Sequence, residues 1–412
     1  MTASGNGDMI MKIRKRDGRM KYRENQKNGD RLSILGYGCM RFTRKGPGID
    51  QEKAEKEMMA AFEGGVNYFD TAYIYPGSEV CLGKFLKKYG IRDKVKIATK
   101  LPHYLLKKPE DIDKYFDEQL ERLQTDHVDY YLMHMLSSVD TWNRLKELGV
   151  DKWIEEKKAN GQIRNIGFSF HGDTENFNRL VDAYDWEFCQ IQFNYMDEHS
   201  QAGIRGLEHA YEKGVPVVIM EPLRGGRLVN KLPEGALKEF ESKEPKRSPA
   251  DWALRWIWDH KQVNVVLSGM NDMAQIEENV RVAGEAEAGA LTDEDKEFYA
   301  RVLKEINSAT KVGCTGCGYC QPCPKGVAIP TIFALYNASY SDSYFNALKD
   351  YVMCTTMRQK KSNASLCVEC GACEKHCPQG IHIREELKNA KKRFETPIYK
   401  IGSKVVGKVM KQ

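Results

Sequence analysis

Eight short apolar segments recur between residues 33 and 270, and stretches with helical periodicity separate them. Several segments are almost continuously apolar, as expected of parallel strands covered on both faces. Eight β–α units in about 250 residues predict an α/β fold, a closed (β/α)₈ TIM barrel. A doubly wound open sheet is the alternative, but no GxGxxG follows the first segment. The segments are SILGYGCM (33–40), VNYFDTA (66–72), KVKIATKL (94–101), VDYYLMH (128–134), RNIGFSF (164–170), FCQIQFN (188–194), VPVVIMEP (215–222) and NVVLSGM (264–270).

An N-terminal hairpin is predicted to precede the barrel. Residues 11–25 alternate in polarity and contain Asp17-Gly18, a dipeptide typical of tight turns. We therefore predict an N-terminal β-hairpin within residues 1–30 that caps one end of the barrel. The barrel itself is predicted to occupy residues 31–306.

The composition changes after the last predicted barrel helix, residues 291–306, which Thr292 and Asp295 open in a capping pattern. Beyond it the chain is rich in Cys, Gly and Pro, and the spacer between its two cysteine runs is helical in pattern. We predict a small, mainly α-helical C-terminal domain at residues 307–395. The basic tail at residues 396–412 is predicted to be frayed or docked rather than a membrane-surface segment.

Composition and cysteine usage indicate the compartment. The hydrophobic content of 41% fits a globular protein, and the net charge of +5 does not point to nucleic acid. Because no run of 18 apolar residues and no signal-peptide core occur, we expect no membrane span and a cytoplasmic protein. In a reducing compartment, 12 cysteines with eight in two tight runs indicate metal ligands rather than disulfides. The scattered cysteines, predicted to be small buried apolar residues, are Cys39, Cys81, Cys189 and Cys354.

Four chemically active side chains lie at or just after the ends of three consecutive predicted strands: Asp70, Tyr75, Lys100 and His134. In a (β/α)₈ barrel these ends meet at one mouth. A phenol is too weak an acid to act alone at neutral pH, and we expect the Lys100 ammonium to lower the pKa of Tyr75. Asp70 would hold Lys100 charged, and the imidazole of His134 would orient a carbonyl oxygen. Tyr75 could then protonate that oxygen during reduction.

The same segments resemble the aldo-keto reductase family over residues from about 20 to 306. The resemblance implies NAD(P)H-dependent reduction of a small carbonyl substrate, an aldehyde, ketone or quinone-like compound, with Asp70, Tyr75, Lys100 and His134 as the catalytic tetrad. The matching stretches are SILGYGCMR (33–41), FDTAYIYPGSE (69–79), KIATKL (96–101), VDYYLMH (128–134) and GQIRNIGFS (161–169).

The resemblance also implies a cofactor site. Ser169 and Gln190 would hold the nicotinamide carboxamide, and residues 268–279 would bind the adenosine and its phosphate, with Gln275, Glu278 and Asn279 near the adenine. The implied cofactor-binding residues are Met40, Arg41, Ser169, Gln190, Met220, Leu223, Arg224, Ser268, Gly269, Met270, Gln275, Glu278 and Asn279.

Two departures from the family pattern bear on the cofactor. Where the family usually stacks an aromatic ring on the nicotinamide, this chain has Met220 and Glu221. Residues 268–280 contain no Lys or Arg for the 2′-phosphate of NADPH, and Arg224 and Arg281 are the candidate substitutes. NADPH, NADH and a flavin therefore all stay open.

The second cysteine run, C-x₂-C-x₂-C-x₃-C-P, is the bacterial ferredoxin pattern for [4Fe–4S] clusters. The first run, C-x₂-C-x₂-C-x₂-C-P, is one residue shorter in its last gap. Zinc is the rival metal, but structural zinc sites separate two C-x₂-C pairs by a longer loop. The predicted metal ligands are Cys314, Cys317, Cys320, Cys323, Cys367, Cys370, Cys373 and Cys377.

In two-cluster ferredoxins the fourth cysteine of each run ligates the other cluster. This resemblance implies one [4Fe–4S] cluster on Cys314, Cys317, Cys320 and Cys377, and a second on Cys367, Cys370, Cys373 and Cys323. The long helical spacer is similar to α-helical dicluster modules of multi-subunit oxidoreductases. Aldo-keto reductases with such a module form a bacterial and archaeal subgroup that the chain resembles over nearly its whole length.

Nicotinamide donates two electrons as hydride, whereas each cluster accepts one, so direct coupling needs a converter such as a flavin. Three hypotheses follow. The tetrad reduces a carbonyl with NAD(P)H while the clusters are structural or serve a redox partner, a ferredoxin or flavoprotein. Alternatively, the mouth binds a flavin or an unusual substrate and the clusters deliver electrons. The third hypothesis is a non-catalytic electron carrier or scaffold, which the intact tetrad disfavours.

Overall fold

The computed structural model describes residues 20–397 and residue 399, apart from residues 309, 310, 315, 317, 319, 342, 358, 359, 378 and 379. The described chain forms two compact units. The first comprises residues 20–195, 204–225 and 249–291, and the second comprises 196–203, 226–248 and 292–399. Two short segments within the predicted barrel region, and its last helix, therefore group with the C-terminal residues.

The first unit contains a closed parallel barrel of eight strands in the order β3, β6, β7, β8, β9, β10, β11 and β12, in which β12 pairs with β3. Each predicted apolar segment overlaps one of these strands, so the predicted (β/α)₈ fold is confirmed. The strands are β1 (Tyr22–Glu24), β2 (Arg31–Ser33), β3 (Leu35–Gly38), β4 (Arg44–Lys45), β5 (Gly48–Ile49), β6 (Tyr68–Asp70), β7 (Lys96–Leu101), β8 (Val128–Met133), β9 (Ile163–Phe170), β10 (Phe188–Gln192), β11 (Val217–Met220) and β12 (Val263–Ser268).

Helices follow the barrel strands and form most of the second unit. Within the described part of the chain, no helix is both long enough and apolar enough to cross a membrane. The α-helices are α1 (Gln51–Glu63), α2 (Ser78–Tyr89), α3 (Glu110–Leu123), α4 (Val139–Glu147), α5 (Val150–Ala159), α6 (Thr174–Val181), α7 (Gly203–Glu212), α8 (Arg227–Asn230), α9 (Glu234–Ser242), α10 (Pro249–Asp259), α11 (Met273–Glu285), α12 (Asp293–Ser308), α13 (Ile329–Ser341), α14 (Tyr344–Tyr351) and α15 (Ile383–Phe394).

Large side chains fill the interior of the barrel. Tyr130 packs edge-to-face against Tyr68 and Phe188, with ring centroids 5.2 and 5.0 Å apart. At Gly167 in β9 a Cβ atom would lie only 2.5 Å from the carbonyl oxygen of Phe188, so the close approach of β10 requires glycine. Because this interior is a packed core, a binding site in this fold lies at the mouth rather than within the barrel.

A hairpin covers the amino end of the barrel, as predicted, but its strands differ from the expected ones. β1 pairs antiparallel with β2, and the chain reverses over residues 25–30. Arg23 of the hairpin donates to the carbonyl oxygen of Val263, at the start of β12. The Asp17-Gly18 turn proposed for the hairpin lies outside the described residues.

The second unit has its own apolar core. Tyr351 of α14 stacks on Phe394 of α15, with ring centroids 4.5 Å apart. The predicted capping pattern of α12 is confirmed, because Asp295 N donates to Thr292 Oγ1 (3.2 Å) and Thr292 N donates to Asp295 Oδ2 (3.0 Å). Residues 400–412 of the predicted basic tail lie outside the described residues.

Candidate functional site

The structure brings the four predicted catalytic side chains together at the carboxyl ends of β6, β7 and β8. Lys100 Nζ lies 2.6 Å from Asp70 Oδ1 and donates to the carbonyl oxygen of Thr71 at 2.7 Å. Gln190 Nε2, from β10, donates to the other carboxylate oxygen of Asp70 at 3.0 Å. Asp70 and Lys100 are almost completely buried, so the ion pair is held rigidly beneath the mouth.

Tyr75 and His134 lie above this ion pair. Lys100 Nζ is 5.2 Å from the centroid of the Tyr75 ring, and the ring centroids of Tyr75 and His134 are 6.2 Å apart. The phenol, the imidazole and the ammonium therefore surround one small volume at the mouth, where a carbonyl oxygen would find two hydrogen-bonding groups.

The segment that carries Tyr75 folds as a tight turn between β6 and α2. Tyr75 N donates to the carbonyl oxygen of Ala72, and Ser78 N donates to that of Tyr75, both at 3.0 Å. Gly77 has a φ of +79°, a left-handed conformation that glycine adopts without a steric penalty. Ser78 Oγ also donates to the carbonyl oxygen of Cys39 at 2.8 Å. These bonds fix the position of the phenol relative to the strand.

The expected direction of the Tyr75 pKa shift was wrong. Burial raises the pKa of Tyr75 above its usual value near 10, and the nearby charge of Lys100 opposes this only in part. Burial also acts to lower the pKa of Lys100, but the negative charge of Asp70 and the hydrogen bond that it accepts from Lys100 outweigh burial, and the pKa is raised. Tyr75 is therefore a protonated phenol at neutral pH and Lys100 is an ammonium.

His134 is held as a neutral imidazole. Burial lowers its pKa well below 6.5, and the neighbouring charges of Lys100, His103 and His171 lower the pKa further. Nδ1 of His134 is buried and has no hydrogen-bond partner among the described residues. A neutral imidazole in this position can donate one N–H to a substrate oxygen.

These shifts predict a flat pH profile for carbonyl reduction. Reduction needs the protonated Tyr75 phenol, which is lost only as the pH rises through a pKa above about 10. Because the pKa of His134 is well below 6.5, its imidazole is neutral near pH 7 and adds no inflection to the kcat/KM profile near neutrality. We expect kcat/KM to vary less than about twofold between about pH 6 and about pH 9. A steady-state profile with saturating cofactor checks this, and an inflection near neutrality would contradict it.

The residues predicted to hold the nicotinamide lie at the same mouth. Ser169, near the end of β9, is buried, and its Oγ accepts from Met135 N at 2.9 Å. The side-chain amide of Gln190 already donates one hydrogen bond to Asp70. Met220 ends β11 and is half-buried, while Glu221 follows it with a φ of +54° and acts electrostatically on Tyr75.

The residues predicted for the adenosine end form a second group, after β12. Asn279 Nδ2 donates to Ser268 Oγ at 3.0 Å, and both side chains are buried. Met270 is buried as well, whereas Gln275 is exposed and Glu278 is half-buried on α11. Ser268 and Asn279 are thus in contact, whereas Gln275 is exposed to solvent.

Arg41 lies between two of the predicted cofactor segments. A Cβ at Gly225 would lie 2.7 Å from Arg41 Nη2, and one at Gly269 would lie 3.3 Å from Arg41 Cδ. The guanidinium is exposed and forms no ion pair within the described part of the chain. Arg281, one candidate for a 2′-phosphate, instead pairs with Asp251 (2.7 Å) and Glu285 (2.9 Å). Leu223 and Arg224 are half-buried before Gly225, and Met40 is 59% exposed.

Sequence reasoning missed the groups that flank His134 on its outer side. Tyr104, in a loop after β7, has its ring centroid 6.2 Å from that of His134, and burial raises its pKa to about 12. His103 beside it is 4% exposed. The loop sequence HYLLKKPED carries no motif, and the only usable signal was its position after a barrel strand.

Four cysteines line one cavity in the second unit. Cys323 belongs to the first run, and Cys367, Cys370 and Cys373 belong to the second. Within the described residues no three Cys, His, Asp or Glu side chains converge closely enough to bind a single metal ion. A cubane cluster spaces its four thiolates more widely than one ion does, and an all-cysteine set suits iron and sulfur. The four cysteines match the type and number of ligands that a [4Fe–4S] cluster takes.

The remaining predicted ligands are placed in part. Cys314, Cys320 and Cys377 pack against the apolar core of the second unit, and Cys317 lies outside the described residues. Cys354 is partly buried and packs on the same core, whereas Cys39, Cys81 and Cys189 are buried in the first unit. The cross-ligation by Cys377 stays a prediction.

Two family models match the chain. Residues 34–296 match the model of the aldo/keto reductase family, and residues 313–382 match that of the 4Fe-4S dicluster domain. L-galactose dehydrogenase of Arabidopsis thaliana is 26% identical over 304 residues, which are 68% of this chain and 94% of that protein.

Solved structures resemble the first unit in the same way. The aldo-keto reductase AKR11C1 from Bacillus halodurans, in its holo form, is 28% identical with a TM-score of 0.57 and covers 69% of this chain and 96% of its own. An aldo-keto reductase from Klebsiella pneumoniae in complex with NADPH is 21% identical with a TM-score of 0.55, covers 69% of this chain and 95% of its own, and shows the fold alone.

Proposed function

Because the chain belongs to the aldo/keto reductase family, we propose that it reduces a carbonyl compound with NAD(P)H at the mouth formed by Tyr75 and His134. The observation that carries this proposal is the buried Lys100–Asp70 pair beneath a protonated Tyr75. A chain that served only as a scaffold would have no use for a charge pair kept from water, because such a pair contributes little to stability.

Each residue of the tetrad has a task in this reaction. A reduced nicotinamide, when bound, supplies hydride to the carbonyl carbon. Tyr75 Oη donates its proton to the carbonyl oxygen as negative charge develops there, and His134 orients that oxygen through a hydrogen bond. Lys100 stabilises the phenolate that Tyr75 becomes, and Asp70 keeps Lys100 charged and in place.

The second unit is proposed to hold two [4Fe–4S] clusters. Cys323, Cys367, Cys370 and Cys373 would bind one of them in the cavity described above. Such clusters supply one-electron transfer when bound. Their apolar surroundings in the core of the second unit would restrict water around them. We propose that they serve a redox partner protein or stabilise the unit.

Assays of the anaerobically purified protein test the proposed function. Oxidation of NADPH or NADH should depend on an added aldehyde, ketone or quinone, and acid treatment should release no flavin. Release of stoichiometric flavin would favour the alternative, in which the mouth binds a flavin and exchanges electrons with the clusters. Absence of turnover with either nicotinamide across a broad carbonyl panel would contradict the proposal.

Arg41 offers a test of the cofactor site that leaves the tetrad intact. Its exposed, unpaired guanidinium is suited to a cofactor phosphate, and a charge-assisted hydrogen bond contributes about 1.5–3 kcal/mol. We expect Arg41→Gln to raise the KM for NAD(P)H by about 10- to 100-fold, with a smaller change in kcat. Initial-rate kinetics measure this.

The matched control is Arg44→Gln, three residues further on in the exposed strand β4. It removes the same charge and should leave the KM within about twofold of the wild type. Equal effects of the two substitutions would show that Arg41 does not bind the cofactor.

A further inference from the structure

Two basic side chains outside the tetrad, His103 and Arg144, lie on segments that follow barrel strands near His134. His103 follows β7, and Arg144 lies on α4, which follows β8. Burial and the positive charge of Arg144 lower the pKa of His103 to about 4. The neighbours whose charges shift His134 are likewise basic. We call His103 and Arg144 together the basic pair.

Three nitrogen atoms of the basic pair lack a hydrogen-bond partner within the described part of the chain. Both ring nitrogens of His103 and Nε of Arg144 are buried without a hydrogen bond to any described residue. Arg144 also forms no ion pair within the described part of the chain. A buried polar group without a partner costs about 1–3 kcal/mol, so native structures rarely retain one that has no function. These atoms are suited to bind a ligand.

The charges around the mouth indicate which ligand. The Asp70–Lys100 pair is neutral overall, and Glu221, which follows β11, acts electrostatically on Tyr75. The basic pair contributes one permanent cation, Arg144, and one neutral imidazole. A single negative charge, held away from Glu221, matches this arrangement. A phosphate dianion would leave charge uncompensated.

Resting on the function proposed above, we propose that the substrate is a carbonyl acid, whose carboxylate binds Arg144 and His103 while its carbonyl oxygen lies between Tyr75 and His134. The planar guanidinium can donate two parallel hydrogen bonds to a carboxylate, and His103 can donate one more. Glu221 repels the carboxylate and so disfavours the reversed orientation. Arg144 is thus a specificity-determining residue.

The test compares carbonyl acids with their methyl esters on the full-length protein with its clusters. Pyruvate, succinate semialdehyde and 4-carboxybenzaldehyde present three separations between carbonyl and carboxylate. Isothermal titration in the presence of NADP⁺ measures Kd for each acid and its ester without turnover. We expect at least one acid to bind about tenfold or more tightly than its ester, and Arg144→Gln to bring that ratio close to one.

Two variants keep the test interpretable. Arg144→Lys retains the positive charge but loses the planar guanidinium with its paired N–H donors. It should give an intermediate acid-to-ester ratio of affinities even if Arg144→Gln is unstable. Lys146→Gln removes an exposed charge from the same helix and should keep the full preference for the acid. An acid-to-ester ratio below about twofold for all three pairs, or a preference that survives Arg144→Gln, would overturn the inference.

The reduction assay separates this inference from the proposed function. If esters and acids are reduced with equal efficiency, the basic pair has no role in recognition and the carbonyl reductase proposal stands. If Arg144-dependent binding of acids occurs but no carbonyl compound is reduced, the anion site stands and the proposed function fails. Absence of both binding and turnover would overturn both.

Discussion

Tyr75→Phe is expected to lower kcat/KM for carbonyl reduction by about 10²- to 10⁴-fold, the usual contribution of a positioned proton donor. The substitution removes only Oη and keeps the ring that contacts His134 and lies above Lys100. The binding of NAD(P)H should change little, because the lost atom acts on the substrate oxygen. Steady-state kinetics with one reducible aldehyde, together with cofactor titration, measure the two effects separately.

Tyr73→Phe is the matched control for this variant. Tyr73 lies two residues away in the same loop, and its hydroxyl donates to Glu118 at 2.9 Å rather than facing the tetrad. We expect kcat/KM within about twofold of the wild type and a loss of stability of about 1 kcal/mol. Full activity of Tyr75→Phe would remove Tyr75 from the reaction.

Lys100 would be a less informative target than Tyr75. Its removal leaves the buried carboxylate of Asp70 without its counter-ion, and breaking a buried pair in this way costs about 3–5 kcal/mol. A loss of activity would then mix catalysis with folding. The phenol carries no structural charge, so its removal isolates the chemical step.

Replacing Cys370 and Cys373 together with alanine is expected to halve the bound iron, from about eight to about four atoms per chain. Both cysteines line the cavity that Cys323 and Cys367 complete, so the pair removes two of four thiolates from one proposed cluster. Because metal binding and folding are coupled in small metal domains, the second unit should also unfold at a lower temperature. Iron and acid-labile sulfide analysis measures the first effect.

Cys354→Ala is the control for the cysteine variant. Cys354 packs on the same apolar core but lies outside both runs. Its replacement should keep the full iron content. Unchanged iron in the double variant would contradict the cavity assignment, and zinc without iron in the wild-type protein would contradict the clusters altogether. Bleaching of cluster absorbance by NAD(P)H alone would show that the clusters accept electrons from the mouth.

Local patterns were sufficient to predict the barrel and to place the residues of the proposed tetrad at adjacent strand ends. A short, nearly continuous apolar run rich in β-branched and aromatic residues favours a strand covered on both faces, and the eight runs form one closed sheet. Asp70, Lys100 and His134 lie at adjacent strand ends, so any closed barrel of this order brings them together. The N-terminal hairpin was placed less accurately, because its described strands lie at residues 22–24 and 31–33 and short strands depend on their partners.

The sequence by itself determined which residues reach the mouth and where the cysteine runs lie, since strand ends and short cysteine spacings are local properties. Only the tertiary structure decided the protonation states and the surroundings. Burial, which outweighs the charge of Lys100 and raises the pKa of Tyr75, depends on every element packed around the phenol. The electrostatic effect of Arg144 on His103, 41 residues earlier in the chain, likewise follows from the curvature of the barrel and not from any pattern in the sequence.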